Sequence, residues 1–333
     1  MKKLPLSVPA LAGLALLAAC GSDVTQATPD AATGSTPSTV TIENCGEERT
    51  YPVGPTAVVG MAPAQTELVV RLGAVDALAG QAQTAMAPLP DDVATEVADV
   101  PVVSEDTPPA REDLLAVGPD LVLSPTGYEF TAEQGFASLE QLDRAGAAAY
   151  VATGGCLERR MTGTVDDLLV DLDNLGAVLD REAEAAELAE QAEAELAAVD
   201  EAVEGLEQPR VAQLYVEGDT ISAIGAGIEP DMVARAGGES VYSPDEDAFA
   251  DFFAATVNPE DVASRDPEVI VFAVADEAAA EEVEATLRRT FPDVPAVRDD
   301  RLVAVDQADT FPGSLGNVRL VRQMAEAFHP DAF

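Results

Sequence analysis

Histidine, tryptophan and lysine are nearly missing from this 333-residue chain: it holds one His, no Trp, and no Lys beyond Lys2 and Lys3. The single histidine, His329, stands beside Pro330 near the end of the sequence. That leaves no Ser-His-Asp or Cys-His arrangement for nucleophilic catalysis. It equally leaves no histidine set for zinc or haem. No CxxC pair occurs among the three cysteines, so neither a redox dithiol nor a zinc knuckle is indicated. There is no P-loop, and Gly225-Ala226-Gly227 is a lone GxG without the third glycine of a dinucleotide site. Asp245, Asp247 and Asp251 lack the glycine and glutamate of an EF-hand loop, and a solvated acidic loop is the plainer reading. No enzyme, cofactor or resident metal is expected.

Basic residues are also scarce: 18 Lys and Arg stand against 61 Asp and Glu, a formal charge of −43. Phosphate recognition needs a basic surface, so a nucleic-acid partner is excluded. The acidity fits either a saline habitat or a compositional bias of the genome, and composition does not separate the two. Apolar residues make up 47% of the chain, enough for one or two real cores.

Only the beginning of the chain carries a long apolar run. Lys2 and Lys3 precede Leu4–Leu17, a stretch too short to span a bilayer as a permanent helix, and residues 1–20 are expected to be an export signal. It ends Leu17-Ala18-Ala19-Cys20-Gly21, which looks like a bacterial lipobox, with Cys20 as the lipidated residue. Several acyl chains on one residue anchor stably. Residues 21–39, rich in Ser, Thr, Pro, Ala and Gly, are expected to be a flexible tether. Two cysteines then remain, Cys45 and Cys156. In an oxidising compartment they most simply pair, free thiols being the alternative. Closing a loop of about 110 residues would constrain the unfolded chain by roughly 4–5 kcal/mol.

The rest alternates short β-branched runs with helical periods, which predicts an α/β fold with mainly parallel sheets. Helices are expected over Gln65–Leu72, Arg111–Val117, Thr131–Ala145 and Thr164–Gly176, and, later, over Pro230–Ala236, Pro259–Ser264, Ala278–Arg289 and Val318–Phe328. Strands are expected at Ala57–Met61, Val75–Gly80, Asp120–Ser124, Ala148–Val151, Arg210–Val216, Val269–Ala273 and Leu302–Val305. One stretch stands apart. Arg181–Glu204 has no Gly or Pro, and Leu188, Ala192, Leu196, Val199 and Val203 draw one apolar stripe along it. Asp180 is the expected N-cap, and Gly205 and Pro209 mark the exit. We read a long rigid helix joining two Rossmann-like lobes; a surface helix of a single domain is the alternative. The expected division is an N-terminal lobe over 40–163, a helical linker over 164–207 and a C-terminal lobe over 208–333.

Open α/β sheets place ligands at strand ends. The polar and aromatic residues expected there are Pro63, Gln65, Gln81, Gln83, Glu105, Arg111, Tyr128 and Phe130 in the first lobe. In the second they are Tyr215, Ser222, Tyr242, Phe253, Thr310 and Phe311. A cation at the start of a helix opposes the macrodipole. Arg111 is therefore either compensated by Glu112 and Asp113 or faces an anionic ligand.

Several segments, in order, resemble the iron–siderophore and cobalamin substrate-binding lipoproteins of bacterial ABC importers, the two-lobed type with a helical backbone. They are Val58–Leu68, with its strand–Pro63–helix opening, Arg111–Ser124, Ala236-Gly237-Gly238, Pro259–Phe272, Pro295–Arg298 and Ala327-Phe328-His329-Pro330. The resemblance spans about Asn44 to Pro330 and includes the Asn44-Cys45-Gly46 start with a partner near Cys156. It implies a monomer, lipid-anchored outside the cell membrane, that carries a ferric siderophore or a corrinoid to an ABC permease. Iron would enter only as part of the chelate. A structural or sensory lipoprotein that kept the fold and lost uptake is the alternative. The resemblance also implies one exposed acid on each lobe for permease docking: Glu260 on the second, and Glu133 on the first with Glu129 as rival. Where many relatives carry arginine, this chain has Gly316, which argues against a strongly anionic cargo.

Overall fold

The computed structural model describes residues 38–333. The leader, Cys20 and most of the tether lie outside the described residues. Chain order begins with an antiparallel hairpin, β1 (Thr39–Asn44) and β2 (Glu47–Pro52). Then follow β3 (Val58–Gly60), α1 (Pro63–Arg71), β4 (Leu78–Ala82), α2 (Asp91–Glu96), β5 (Val102–Ser104), α3 (Arg111–Val117), β6 (Leu121–Ser124), α4 (Leu139–Ala145) and β7 (Ala148–Val151). The strands β3 to β7 form one five-stranded parallel sheet in the order β5-β4-β3-β6-β7. Asn44 ties the hairpin to its β7 edge: its amide donates to Val151 O at 2.8 Å and accepts from Val151 N at 3.1 Å. The Cys45–Cys156 disulfide closes the same corner.

Two helices, α5 (Asp167–Leu179) and α6 (Glu182–Val203), carry the chain across. The second half contains β8 (Arg210–Glu217), β9 (Thr220–Ile224), α7 (Glu229–Arg235), β10 (Glu239–Ser240), β11 (Ala254–Thr256), α8 (Pro259–Ser264), β12 (Val269–Val274), α9 (Glu277–Thr290), α10 (Pro295–Arg298), β13 (Leu302–Asp306) and α11 (Gly316–Phe328). Its sheet runs β11-β9-β8-β12-β13, with β10 beside the start of β8. Here β8, β12 and β13 are parallel, while β9 is antiparallel to both neighbours. The mainly parallel order expected here is thus broken by a hairpin. Gly218, at φ +59°, turns the chain back after Glu217.

Three expected boundaries are corrected. Thr131–Ala145 is not one helix: a single 3-10 turn covers Ala132–Gln134, and Gly135 at φ +91° ends it. α4 restarts at Ser138, which caps Gln141 N while the Gln141 side chain returns to Ser138 N. The helix expected over Thr164–Gly176 begins at Asp167 and runs on to Leu179. Asp180 is not the N-cap of α6. It closes α5 in the left-handed conformation, φ +59°, and Arg181 precedes α6.

At 22 residues, α6 is about 33 Å long. It is more than a spacer. Ala185, Ala192, Leu196 and Val199 are buried along it, in one apolar cluster with Leu68, Leu72 and Leu175 on one side and Val211, Val269, Leu320 and Met324 on the other. A single core therefore runs through both halves, beneath α5, α6 and α11. Two further clusters fill the outer faces, one around Leu114, Val122 and Leu142, the other around Leu214, Phe249 and Phe272.

Candidate functional site

All strands of the first sheet point the same way, so the loops after β3, β4, β5 and β6 share one edge. Residues of the second lobe rest on two places there. Gln65 Nε2 donates to Pro312 O at 3.3 Å, and Arg319 of α11 grips Glu67 of α1 through both guanidinium nitrogens at 3.0 and 3.1 Å. On the other flank, Gly227 N donates to Met161 O at 3.2 Å, and Arg160 Nη2 to Asp251 O at 3.0 Å.

Between α1 and the loop after β13 lies a cavity of about 320 Å³. Pro63, Ala64, Glu67, Asp91, Asp306, Asp309 and Arg319 line it, with the Pro88-Leu89-Pro90 turn as its outer wall. Four carboxylates thus meet one guanidinium, which is already engaged: Arg319 also reaches Asp309 at 2.9 Å. Burial pushes Asp309 up to about 6, against the pull of Arg319. Burial raises Asp306 as well. Gly316 is packed beneath this group. A Cβ there would stand 1.7 Å from Asp309 Oδ1, so the Asp309 carboxylate fills the space a longer side chain would take.

Exposed aromatics form two separate pairs, one in each lobe. Tyr128, 55% exposed in the loop after β6, makes an edge contact with Phe136 at 5.7 Å. Phe252, 50% exposed, lies on half-buried Phe253 with ring centroids 4.3 Å apart, next to the Asp251 that Arg160 holds. Glu229, close to Gly227 and Phe253, is pushed up to about 7 by burial.

The structure sorts the expected site residues. Pro63 lines the cavity, and Gln65 spans the lobes. Glu105 is exposed at the same sheet edge. Arg111 is exposed at the start of α3 and bonds its neighbour Glu112, the local compensation foreseen as one option. Phe311 and Thr310 lie in the loop that touches α1, their backbone and hydroxyl groups held by Asn317 and Gln307. Tyr215, 39% exposed, pairs across β8–β9 with half-buried Ser222.

Others are engaged within their own lobe. Gln81 donates to Val97 O and Val100 O, and Gln83 to Met61 O at 2.7 Å. Phe130 belongs to the outer core of the first lobe. Tyr242 is 2% exposed, bonds Asp261 at 3.0 Å and lies under Arg265 at 4.0 Å from the ring centroid. Glu129 is 3% exposed and accepts from Ser124 and Thr126, so it cannot be a surface docking acid. Glu133 and Glu260 are both exposed. His329 is held by Gly237 O at 3.0 Å, at the far end of α11. Sequence reasoning missed Glu67, Asp306, Asp309 and Arg319, which come from α1, the end of β13, the turn after it and α11, so that no local signature joins them.

Comparison with known proteins agrees with this architecture. A periplasmic binding protein family model matches residues 58–308. No curated protein matches the sequence. Among solved structures, a periplasmic binding protein from Veillonella parvula is similar at 20% identity and TM-score 0.75, over 89% of this chain and 99% of that one. An ABC-type Fe3+-hydroxamate transport protein from Saccharomonospora viridis shares 25% identity at TM-score 0.71, covering 87% and 98%. The vitamin B12 binding protein of Vibrio cholerae shares 17% at TM-score 0.66, covering 84% and 98%. The match over most of the chain, on two sheets braced by a shared helical backbone, places this protein in the periplasmic binding protein family.

Proposed function

We propose that this protein captures a ferric siderophore of neutral or positive charge between its lobes and delivers it to an ABC permease. Its family supplies the coarser part, a solute-binding protein serving an ABC importer outside the cytoplasm. The observation that carries the finer part is the cavity between α1 and the loop after β13. Four carboxylates line it, and its one guanidinium is already paired with two of them. A strongly anionic chelate would meet unpaired negative charge in a half-desolvated site. The Saccharomonospora viridis protein, named for Fe3+-hydroxamate transport, supports the same ligand class. Exposed Tyr128 and Phe252 offer flat apolar faces for a chelate's organic shell.

Quenching of tyrosine emission by a panel of ferric chelates tests this reading. Neutral and cationic hydroxamates should bind, and anionic catecholates and carboxylates should not. Binding of corrinoids alone would transfer the protein to that cargo, and binding of anionic chelates alone would refute the charge argument. The same reading includes a lipid anchor on Cys20. Cys20→Ala should release the protein from the membrane fraction, and its retention there would refute the anchor. No helix among the described residues is long and apolar enough to cross a membrane.

A further inference from the structure

A second, far smaller cavity, of about 10 Å³, lies where α1, β6, β7, α5 and the loop before α11 converge. Two buried side chains end there with an unused acceptor. Gln65 is 3% exposed and its Oε1 has no partner; Asp171 is fully buried and its Oδ2 has none. The opposite oxygen of Asp171 is well supplied: it accepts from Tyr150 OH at 2.7 Å, Thr153 N at 2.9 Å and Thr153 Oγ1 at 2.6 Å. The opposite end of Gln65 donates to Pro312 O, in the other lobe. Both groups crowd the bare Cα of Gly313, at φ +72°. A Cβ there would lie 3.2 Å from Asp171 Oδ2 and 3.5 Å from Gln65 Nε2.

Two buried acceptors cannot satisfy each other; a hydrogen must come between them. The cavity is at the lower limit of the space one water needs, and Leu68, Leu123, Leu175 and Ala152 make most of its wall apolar. We propose that Asp171 holds a proton on Oδ2 and donates it to Gln65 Oε1, so that acid, amide and the Pro312 carbonyl form one hydrogen-bonded latch across the lobes, released when that proton leaves. Loss of the proton turns a carboxylate toward an amide carbonyl oxygen. The amide then gains by rotating its NH2 to Asp171, which aims Oε1 at Pro312 O and breaks the bond between lobes.

The electrostatics place the change near neutrality. Burial is the main cause that pushes Asp171 up to about 7, opposed by the hydrogen bonds from Thr153 and Tyr150. Asp167, on the same helix, pushes the same way, though Arg159 holds it at 2.5 Å. From β7 the one ionisable group facing Asp171 is Tyr150, itself raised by burial. The wall residues from α1, β6 and the Gly313 loop carry no ionisable side chain. The latch stands on the two unpartnered acceptors and on the bond from Gln65 to Pro312, and it is independent of the cargo.

Nitrogen-15 NMR of the Gln65 side-chain amide in the full chain, titrated from pH 5 to 9, tests it. The amide resonances should shift with one midpoint near pH 7, and Asp171→Asn, whose amide imitates the protonated acid, should abolish that shift. An amide without inflection in the wild-type chain would overturn the proposal, whatever the variant does. So would the same inflection persisting in D171N. Unfolding equilibria give a second reading. Between pH 5 and 8 the unfolding constant of the wild type should rise on the order of a hundredfold more than that of D171N, tenfold per pH unit for one proton. Gln65→Leu should reduce this difference; a difference unaffected by Q65L would show a buried acid with no latch.

Discussion

Glu67 and Arg319 stand 252 residues apart and meet through two nitrogen–oxygen contacts of 3.0 and 3.1 Å. They join the first helix of one lobe to the last helix of the other. The pair is lopsided: the Glu67 side chain is 4% exposed and that of Arg319 48%. Most of the desolvation therefore falls on the carboxylate. Arg71 reaches Glu67 only at 3.5 Å. Arg319→Met should leave Glu67 and Asp309 without their main counter-charge and destabilise the protein by about 2–4 kcal/mol, below the full figure for a buried pair because the cation is half in water. Urea unfolding measures it. A change within error would mean that the contact does not brace the lobes.

Stability should fall as pH rises from about 4 to about 7. Burial pushes Asp171 and Glu229 up to about 7 and Asp309 up to about 6. Over that window the folded chain holds protons that the unfolded chain, with ordinary carboxyls near pH 4, has already released. The folded state binds more protons, so its stability declines with pH and levels off above about 7. For Asp171 alone the loss between pH 5 and 8 should be on the order of 3 kcal/mol, and Glu229, Asp309 and self-repulsion from a net charge of −43 add to it. In the opposite sense, arginine partners lower Asp92, Glu112 and Glu246 at the surface, an effect lost only in more acidic solution. Unfolding free energies at pH 4.5, 6 and 8 should decrease in that order; a maximum at pH 8 would contradict the burial of these groups.

Much of the fold was legible because local signals agreed with it. Pro63 opens α1, Gly118 closes α3, and Asn258-Pro259 caps α8. Arg111–Val117, Ala148–Val151 and Pro259–Ser264 fall where periodicity and turn residues put them. Three of the missed strands share a cause: β5, β10 and β11 are two or three residues long, and pairing rather than pattern defines them. The site was less legible. Tyr242 and Phe130 look in sequence like pocket aromatics, yet packing draws them inside, while Phe252 stays at the surface. Gln81 and Gln83 look like ligand donors, but backbone carbonyls use them. Which partner a polar side chain finds depends on residues far along the chain, 16 to 22 away for Gln81 and Gln83 and 252 for Glu67, and no local window contains them.

Permease docking should depend on Glu133 and Glu260. Both are exposed, one on each lobe, whereas Glu129 is buried and bonded to two hydroxyls. Glu260 sits in the first turn of α8 behind the Asn258 cap, where the helix dipole also favours an acid. Its removal alone should cost no more than about 1 kcal/mol of stability. Replacing both by Ala should leave ligand affinity unchanged and abolish uptake in cells. Full transport by the double variant would move the docking surface elsewhere.

Closure on the ligand should be small. Hinge-bending binders close when a few linker residues absorb large backbone rotations. Here the lobes are joined by α6, whose interior holds neither Pro nor Gly, the usual causes of a kink. The helix is also fixed along its length, because Ala185, Ala192, Leu196 and Val199 lie in the one core cluster that extends into both lobes. Wide opening would have to separate that core and part Glu67 from Arg319. Exposed Tyr128 and the Phe311 loop can adjust without either event; Tyr242, packed under Arg265, cannot. A cleft already formed loses less free energy to ordering when it binds, which suits capture of a dilute chelate. Small-angle scattering of free and loaded protein should therefore give nearly equal radii of gyration. A contraction of several ångströms would show that the core beneath α6 divides on binding, and that the helix is a hinge.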